Sequence, residues 1–279
     1  MLRHVNRLRS AVYGIAIGDA LGLPVQFQSR DSYPEVTEMI KGELPWPAGT
    51  WSDDTSLTLA TVDSLLTCEG VDVPDMRARF MDWMDNGAYT QDGEAFDQGF
   101  TTVHALTHGR GCTNEQSNGN GSLMRILPLA FVKNLSDEQI AQVSGITHAH
   151  PLSVEACTVY VHAAQLILDG FSLTEALETA SLSSEIFSYL ADIGSKKRNE
   201  IRSTGYVKDS LEASFWCLLT TDNFRDALIR AVNLGDDTDT IGAITGGMAG
   251  LVYGMESVPD SWMNALRKKE IIERCLASQ

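Results

Sequence analysis

Two stretches of this chain crowd acids and hydroxyls just ahead of an apolar run. "TWSDDTSLTLA" places Ser52, Asp53, Asp54 and Thr55 together, and "NLGDDTDTIGAITGGMAGLVYG" does the same with Asp237, Thr238, Asp239 and Thr240. Helix N-capping uses such residues, because Asp, Ser and Thr accept hydrogen bonds from the free first-turn N–H groups and Asp favours the positive end of the dipole. Capping accounts for one or two of them, not for two crowded sets. Convergent carboxylates repel, so they must take up protons or gather a cation, and hard oxygen donors with a hydroxyl or two suit Mg²⁺ or Mn²⁺. The pair therefore points to a site for two divalent cations. On a regular helix Asp237 and Asp239 would diverge, so Asp237 is expected just before the first helical turn.

A third segment, "SNGNGSLMRILPLA", has the composition of an anion cradle. Ser117, Asn118, Gly119, Asn120, Gly121 and Ser122 form a small polar loop expected to open a helix, where unblocked N–H groups can face a phosphate. Taken alone, a Gly/Asn loop is more often a plain turn. His148 in "THAHP" and Tyr206 in "TGYVKDSLEASFW" are equally open between site and core.

The elements that must hold these residues are helical. Apolar residues recur at three- and four-residue spacing over 55–68, 74–83, 94–106, 137–146, 152–168, 173–180, 211–219 and 225–232, and a first helix runs through "RLRSAVYGIAIGDALGL". Ser136 and Ser172 offer capping hydroxyls with acids in the first turn, and Pro74 and Pro151 suit first-turn positions. Only "SYPEVTEMI" alternates like a strand, so the expectation is an all-α fold of roughly a dozen helices. Gly242, Gly246, Gly250 and Gly254 share one face of a closing helix. Each glycine costs about 0.5–1 kcal/mol against alanine in a helix, so close backbone packing must outweigh propensity there.

Composition bounds the rest. The 279 residues are 43% hydrophobic with no linker-like stretch, which favours one domain over 1–279. A formal charge of −16 disfavours nucleic-acid backbones, and "SKKRNE" reads as solvated surface. Five cysteines without CxxC spacing favour a reducing compartment, the cytoplasm. No run approaches the roughly 20 apolar residues that span a bilayer, and Asp19 breaks the apolar stretch that could pass for a signal peptide.

Taken together, "GIAIGDALGLPVQF", "WSDDTSLTLA", "FDQGFTT", "NGNGSLMRILPLA", "ITHAHP", "GYVKDSLEA" and "GDDTDTIGAITGGMAG" resemble, in order, the ADP-ribosylglycohydrolase family, which includes the dinitrogenase reductase-activating glycohydrolases. The resemblance implies a single compact orthogonal helical domain with two divalent ions, Mg²⁺ or Mn²⁺, at the base of an ADP-ribose cleft. It implies Ser52, Asp53 and Asp54 on one half of the metal shell and Asp237, Asp239 and Thr240 on the other. It further implies that the loop from Ser117 to Gly121 holds the pyrophosphate, that His148 contacts the ribose, and that Asp97 and Tyr206 flank an arginine-like leaving group. The substrate would be an ADP-ribosylated protein or small molecule. Gln26 stands where many members carry glutamate, and an amide cannot act as a general base. The expected division of labour gives proton acceptance to Asp53 or Asp54, with water activated at the ions, and leaves Gln26 to position the 2-hydroxyl or the water. The other reading is a non-catalytic ADP-ribose binder or a structural, crystallin-like relative.

Overall fold

The computed structural model describes residues 2–43 and 45–277. Among these residues twelve α-helices follow one another: α1 (Val5–Gly22), α2 (Asp53–Thr67), α3 (Val73–Asn86), α4 (Phe100–His108), α5 (Asp137–Ser144), α6 (Pro151–Leu168), α7 (Leu173–Leu182), α8 (Val207–Leu219), α9 (Phe224–Val232), α10 (Thr238–Tyr253), α11 (Asp260–Ala265) and α12 (Lys269–Leu276). Among the described residues there is no strand, only three isolated β-bridges, and "SYPEVTEMI" is irregular. The start signals act as the sequence suggests. Ser136 and Ser172 form capping boxes with Gln139 and Glu175, and Pro74 and Pro151 lie in the first turns of α3 and α6.

The centre of the molecule is the antiparallel pair α1 and α10. A β-carbon on Gly18 would lie 1.9 Å from the Gly242 carbonyl oxygen, and one on Gly246 would lie 2.1 Å from that of Gly14. The two backbones touch, and no residue with a side chain can take these places. Every α10 residue from 238 to 251 is buried, so the small-residue face meets α1 while the other faces meet the surrounding helices. Antiparallel contact sets the C-terminal half of α1 beside the start of α10.

Four expectations need correction. α10 does not close the chain, since α11 and α12 follow it, and Gly254 sits past its end as the cap residue with a φ of 78°. Residues 94–99 are not helical: Asp97 adopts a left-handed conformation (φ 57°) and α4 starts only after Gly99, which swings the Asp97 side chain toward the site. The 117–122 loop opens two short 3-10 turns, Leu123–Arg125 and Leu127–Phe131, rather than an α-helix, because Pro128 interrupts the apolar run. Finally, α6 is long and apolar enough to cross a membrane by length and composition, although 56% of it is buried inside the protein.

Candidate functional site

The two acid motifs open α2 and α10, and the α1–α10 contact brings those helix starts together. Asp54, Asp239 and Asp19 each offer a carboxylate oxygen within 4.8 Å of the others, and all three are buried. Thr240 Oγ1 donates to Asp54 Oδ2 at 3.3 Å, which joins the two motifs directly. Ser52 Oγ donates to the same oxygen at 3.0 Å and accepts from the Asp54 N–H, so Ser52 is the cap of α2. Asp237 is the residue before the first turn of α10, with non-helical backbone (φ −90°, ψ 63°), and its side chain caps nothing. It accepts instead from Asn120 Nδ2 at 2.6 Å.

Asp19 was the acid that motif reading passed over. Its carboxylate accepts from Ser52 N (3.0 Å to each oxygen), Thr55 N (3.1 Å) and Thr55 Oγ1 (2.6 Å), so it ties α1 to the N-terminus of α2. An aspartate interrupting the apolar run of α1 from Ala11 to Leu21 was the signal. Asp19 is thereby spent, whereas Asp54 Oδ1 and Asp239 Oδ2 are buried with no hydrogen-bond partner. Burial first, and neighbouring carboxylates second, hold the Asp54 and Asp239 carboxyls well above the usual range. Asp53 is raised by the same two causes, with Asp54 the strongest of the repelling carboxylates, and burial lifts Asp19 to about 7 against the hydrogen bonds it accepts. Unpartnered anionic oxygens at this depth are costly without a cation or a proton.

Asp53, Asp237 and Thr240 reach the floor of a cleft of about 320 Å³ that also exposes Gln26, Asp97, Gly119, Asn120, Gly121 and His148. Gln26 Nε2 donates to Asp97 Oδ2 at 2.5 Å. His148 is 2% exposed and lies against the glycine loop, and a β-carbon on Gly121 would lie 2.8 Å from its Cε1. The glycines make room for the imidazole, and the Asn120 N–H is spent on Gly205 O at 3.0 Å, so the loop is not a ring of free donors. Burial, with Arg125 second, pushes the His148 imidazolium down to about 3, so the ring is neutral.

The remaining expected residues frame the cleft. Ser117 donates to Asn114 Oδ1, Asn118 accepts from Ser153, and both side chains shape the loop from behind. Tyr206 is 42% exposed and outside the cleft lining, and its backbone forms an antiparallel bridge to Gly119 that pins the loop. Two residues that sequence reading missed stand at the mouth: Phe27 and Phe100 are 72% and 83% exposed, and Phe27 holds a left-handed φ of 63° with its N–H on Asp236 O. Large exposed aromatics beside a polar cleft were not separable from core by spacing alone.

Known proteins share this arrangement. The ADP-ribosylglycohydrolase family matches residues 2–279. An ADP-ribosylarginine hydrolase Tri1 of Serratia proteamaculans is 33% identical over 290 residues, covering 99% of this chain and 79% of that protein. An ADP-ribosyl-[dinitrogen reductase] glycohydrolase of Rhodospirillum rubrum is 29% identical, covering 98% and 94%. A solved structure described as an ADP-ribosylglycohydrolase-related protein complex superposes with a TM-score of 0.81 at 30% identity, covering 98% and 96% of the two chains. A match over the whole chain, on a helical frame that gathers both acid motifs at one cleft, means that this chain belongs to the ADP-ribosylglycohydrolase family and is an enzyme of that glycosidase class.

Proposed function

We propose that the chain hydrolyses the glycosidic bond between ADP-ribose and the side chain of an arginine in a modified protein, and that it needs two divalent cations, Mg²⁺ or Mn²⁺. The observation that carries this reading is the pair of buried, unpartnered oxygens, Asp54 Oδ1 and Asp239 Oδ2, in an all-oxygen donor set. Carboxylates with hydroxyls at hand fit a hard cation and leave no soft ligand to favour zinc. Asp54 and Asp239, with Asp53, Asp237, Ser52 and Thr240, would hold the ions, while Asp19 fixes the start of α2 from behind. When bound, the ions supply positive charge that offsets the carboxylates and polarises substrate oxygens.

The chain's own residues divide the other tasks. Asp53, at the floor of the cleft, is placed to accept a proton from the attacking water. Asp97, beside the same floor, offers a carboxylate to the guanidinium of the acceptor, a charge-assisted pair suited to arginine. Gln26 fixes Asp97 through its amide and thereby acts as a positioning residue. The names of the relatives from Serratia and Rhodospirillum support an ADP-ribosyl substrate, and five unpaired cysteines support a reducing compartment such as the cytoplasm.

The test is a panel of proteins ADP-ribosylated on arginine, on serine or on other acceptors, each assayed with chelator and with Mg²⁺ or Mn²⁺ added back. The expected outcome is release of ADP-ribose from the arginine conjugate, lost in chelator and restored by either ion. Full turnover in excess chelator would remove the cations from the mechanism. ADP-ribose binding without any cleavage would return the non-catalytic reading.

A further inference from the structure

Behind the glycine loop lies a buried chain of hydrogen bonds that no expected site residue explains. Arg125 is fully buried, and among the described residues no carboxylate pairs with it. Its guanidinium sits 4.4 Å over the Phe80 ring, its Nη2 donates to Val143 O at 3.3 Å and to Thr147 Oγ1 at 2.9 Å, and its Nε and Nη1 have no partner. Thr147 Oγ1 lies 2.8 Å from His148 Nδ1. Thr147 is itself buried.

The direction of these bonds follows from proton counting. A guanidinium can only donate, so Thr147 Oγ1 accepts from Arg125 and its own hydrogen must go elsewhere. His148 Nδ1 is its acceptor, for a protonated Nδ1 would leave the hydroxyl hydrogen buried without a partner, at a cost of about 1–3 kcal/mol. A neutral ring that accepts at Nδ1 carries its proton on Nε2. That nitrogen is the one on the glycine-loop side, 3.3 Å and 3.6 Å from where β-carbons on Gly121 and Gly119 would stand, and His148 lines the cleft. The unpaired charge of Arg125 behind the ring opposes a second proton on it.

We infer that Arg125 and Thr147 are positioning residues that lock His148 into the tautomer presenting Nε2–H to the cleft, where it donates to an oxygen of the bound substrate. The identity of that substrate rests on the proposed ADP-ribosyl activity. The shared chemistry is an acceptor oxygen, which a phosphate or a ribose can supply.

Nitrogen-15 spectra of histidine-labelled, ligand-free protein report the tautomer without any turnover. The wild type is expected to show His148 protonated on Nε2 and bare on Nδ1, unchanged between about pH 6 and 8. Thr147→Val keeps the shape but removes the hydroxyl, so both tautomers should appear and ADP-ribose affinity should fall in proportion to the rings no longer protonated on Nε2, about twofold for an even mixture. Thr147→Ser should restore the wild-type spectrum and affinity. Arg125→Met should mix the tautomers as Thr147→Val does. Titration with ADP alongside ADP-ribose locates the acceptor: an equal loss on both places it on phosphate, and a loss on ADP-ribose alone places it on the terminal ribose. A wild-type ring with its proton on Nδ1, or a Thr147→Val protein with an unchanged spectrum and affinity, would overturn the relay. Failure of the wild type to bind ADP-ribose would instead overturn the functional reading, while the ligand-free spectra still decide the tautomer.

Discussion

Asp239 can be tested as cap or ligand with one substitution. Asparagine caps a helix about as well as aspartate, and Asp239 Oδ1 already accepts from Thr240 N at 2.9 Å, which an amide oxygen can also do. Asp239→Asn should therefore keep the fold and raise the melting temperature of the metal-free protein, because a buried charge with an unpartnered oxygen is gone. Metal affinity, measured by calorimetric titration, should fall by at least about tenfold, since a neutral oxygen replaces an anionic one. Unchanged affinity would make Asp239 a cap. Gln26 gives a second test. Its amide donates to Asp97 at 2.5 Å, and Gln26→Glu would set two carboxylates at that distance, where one must hold a proton. The expected result is an extra ionisation in the kcat/KM pH profile, with Gln26→Ala lowering kcat/KM only about tenfold, the weight of one hydrogen bond to a charged group. At this scale the sequence was readable where like residues crowd, as in Asp237 to Thr240. It marked Asp19 only as a break in an apolar stretch, and the meaning of that acid comes from the Ser52 and Thr55 N–H groups that fold up against it.

Helix propensity and periodicity placed most elements, and the capping boxes at Ser136 and Ser172 are local enough to be read without a fold. Contacts between elements are another matter. The four-residue glycine spacing marked a face of α10, but its complement on α1, Gly14, Gly18 and Gly22, lies more than two hundred residues away, and nothing local says which faces meet. Likewise the apolar spacing of 94–106 runs through a segment that Gly99 and the left-handed Asp97 turn away from helix. The α1–α10 contact yields a sharp contrast between two glycines. Gly18→Ala drives a β-carbon to 1.9 Å from a backbone carbonyl that no rotamer change can move. It should destabilise by about 3 kcal/mol or more in denaturant unfolding, at the upper end for overpacking. It should also weaken metal binding, because Asp239 rides on one of the helices forced apart and Asp19, which holds the start of α2, rides on the other. Gly70→Ala, with nothing within 4 Å of the added atom, should change stability by no more than about 0.5 kcal/mol.

For the molecule as a whole, the buried carboxylates dominate the response to pH. Asp53, Asp54 and Asp239 have folded-state values raised well above those of an unfolded chain, and Asp19 titrates at about 7. A raised acid binds protons in the folded state that the unfolded chain declines, so metal-free stability should increase as pH falls from about 8 through 7 and level off near 4, where the unfolded acids also protonate. Thermal melts in chelator should follow that order, and saturating Mg²⁺ should flatten or reverse it, because the ion competes with protons for the same oxygens. A chelated protein that is more stable at pH 8 than at pH 6 would contradict the burial of these groups as charged, unpartnered acids. The net charge of −16 adds to this trend through general repulsion at high pH.

The backbone contact between α1 and α10 also has a bearing on how such a site tolerates drift in sequence. Where side chains separate two helices, their spacing wanders as residues are exchanged over generations. Here the separation is fixed by the radius of a carbonyl oxygen against an α-carbon, quantities that substitution elsewhere in the core cannot alter. The gap between the acids of the two helices is thus gauged by covalent geometry. Neighbouring helices can be resized around it, and the distance from Asp19, which holds the start of α2, to Asp239 stays the same.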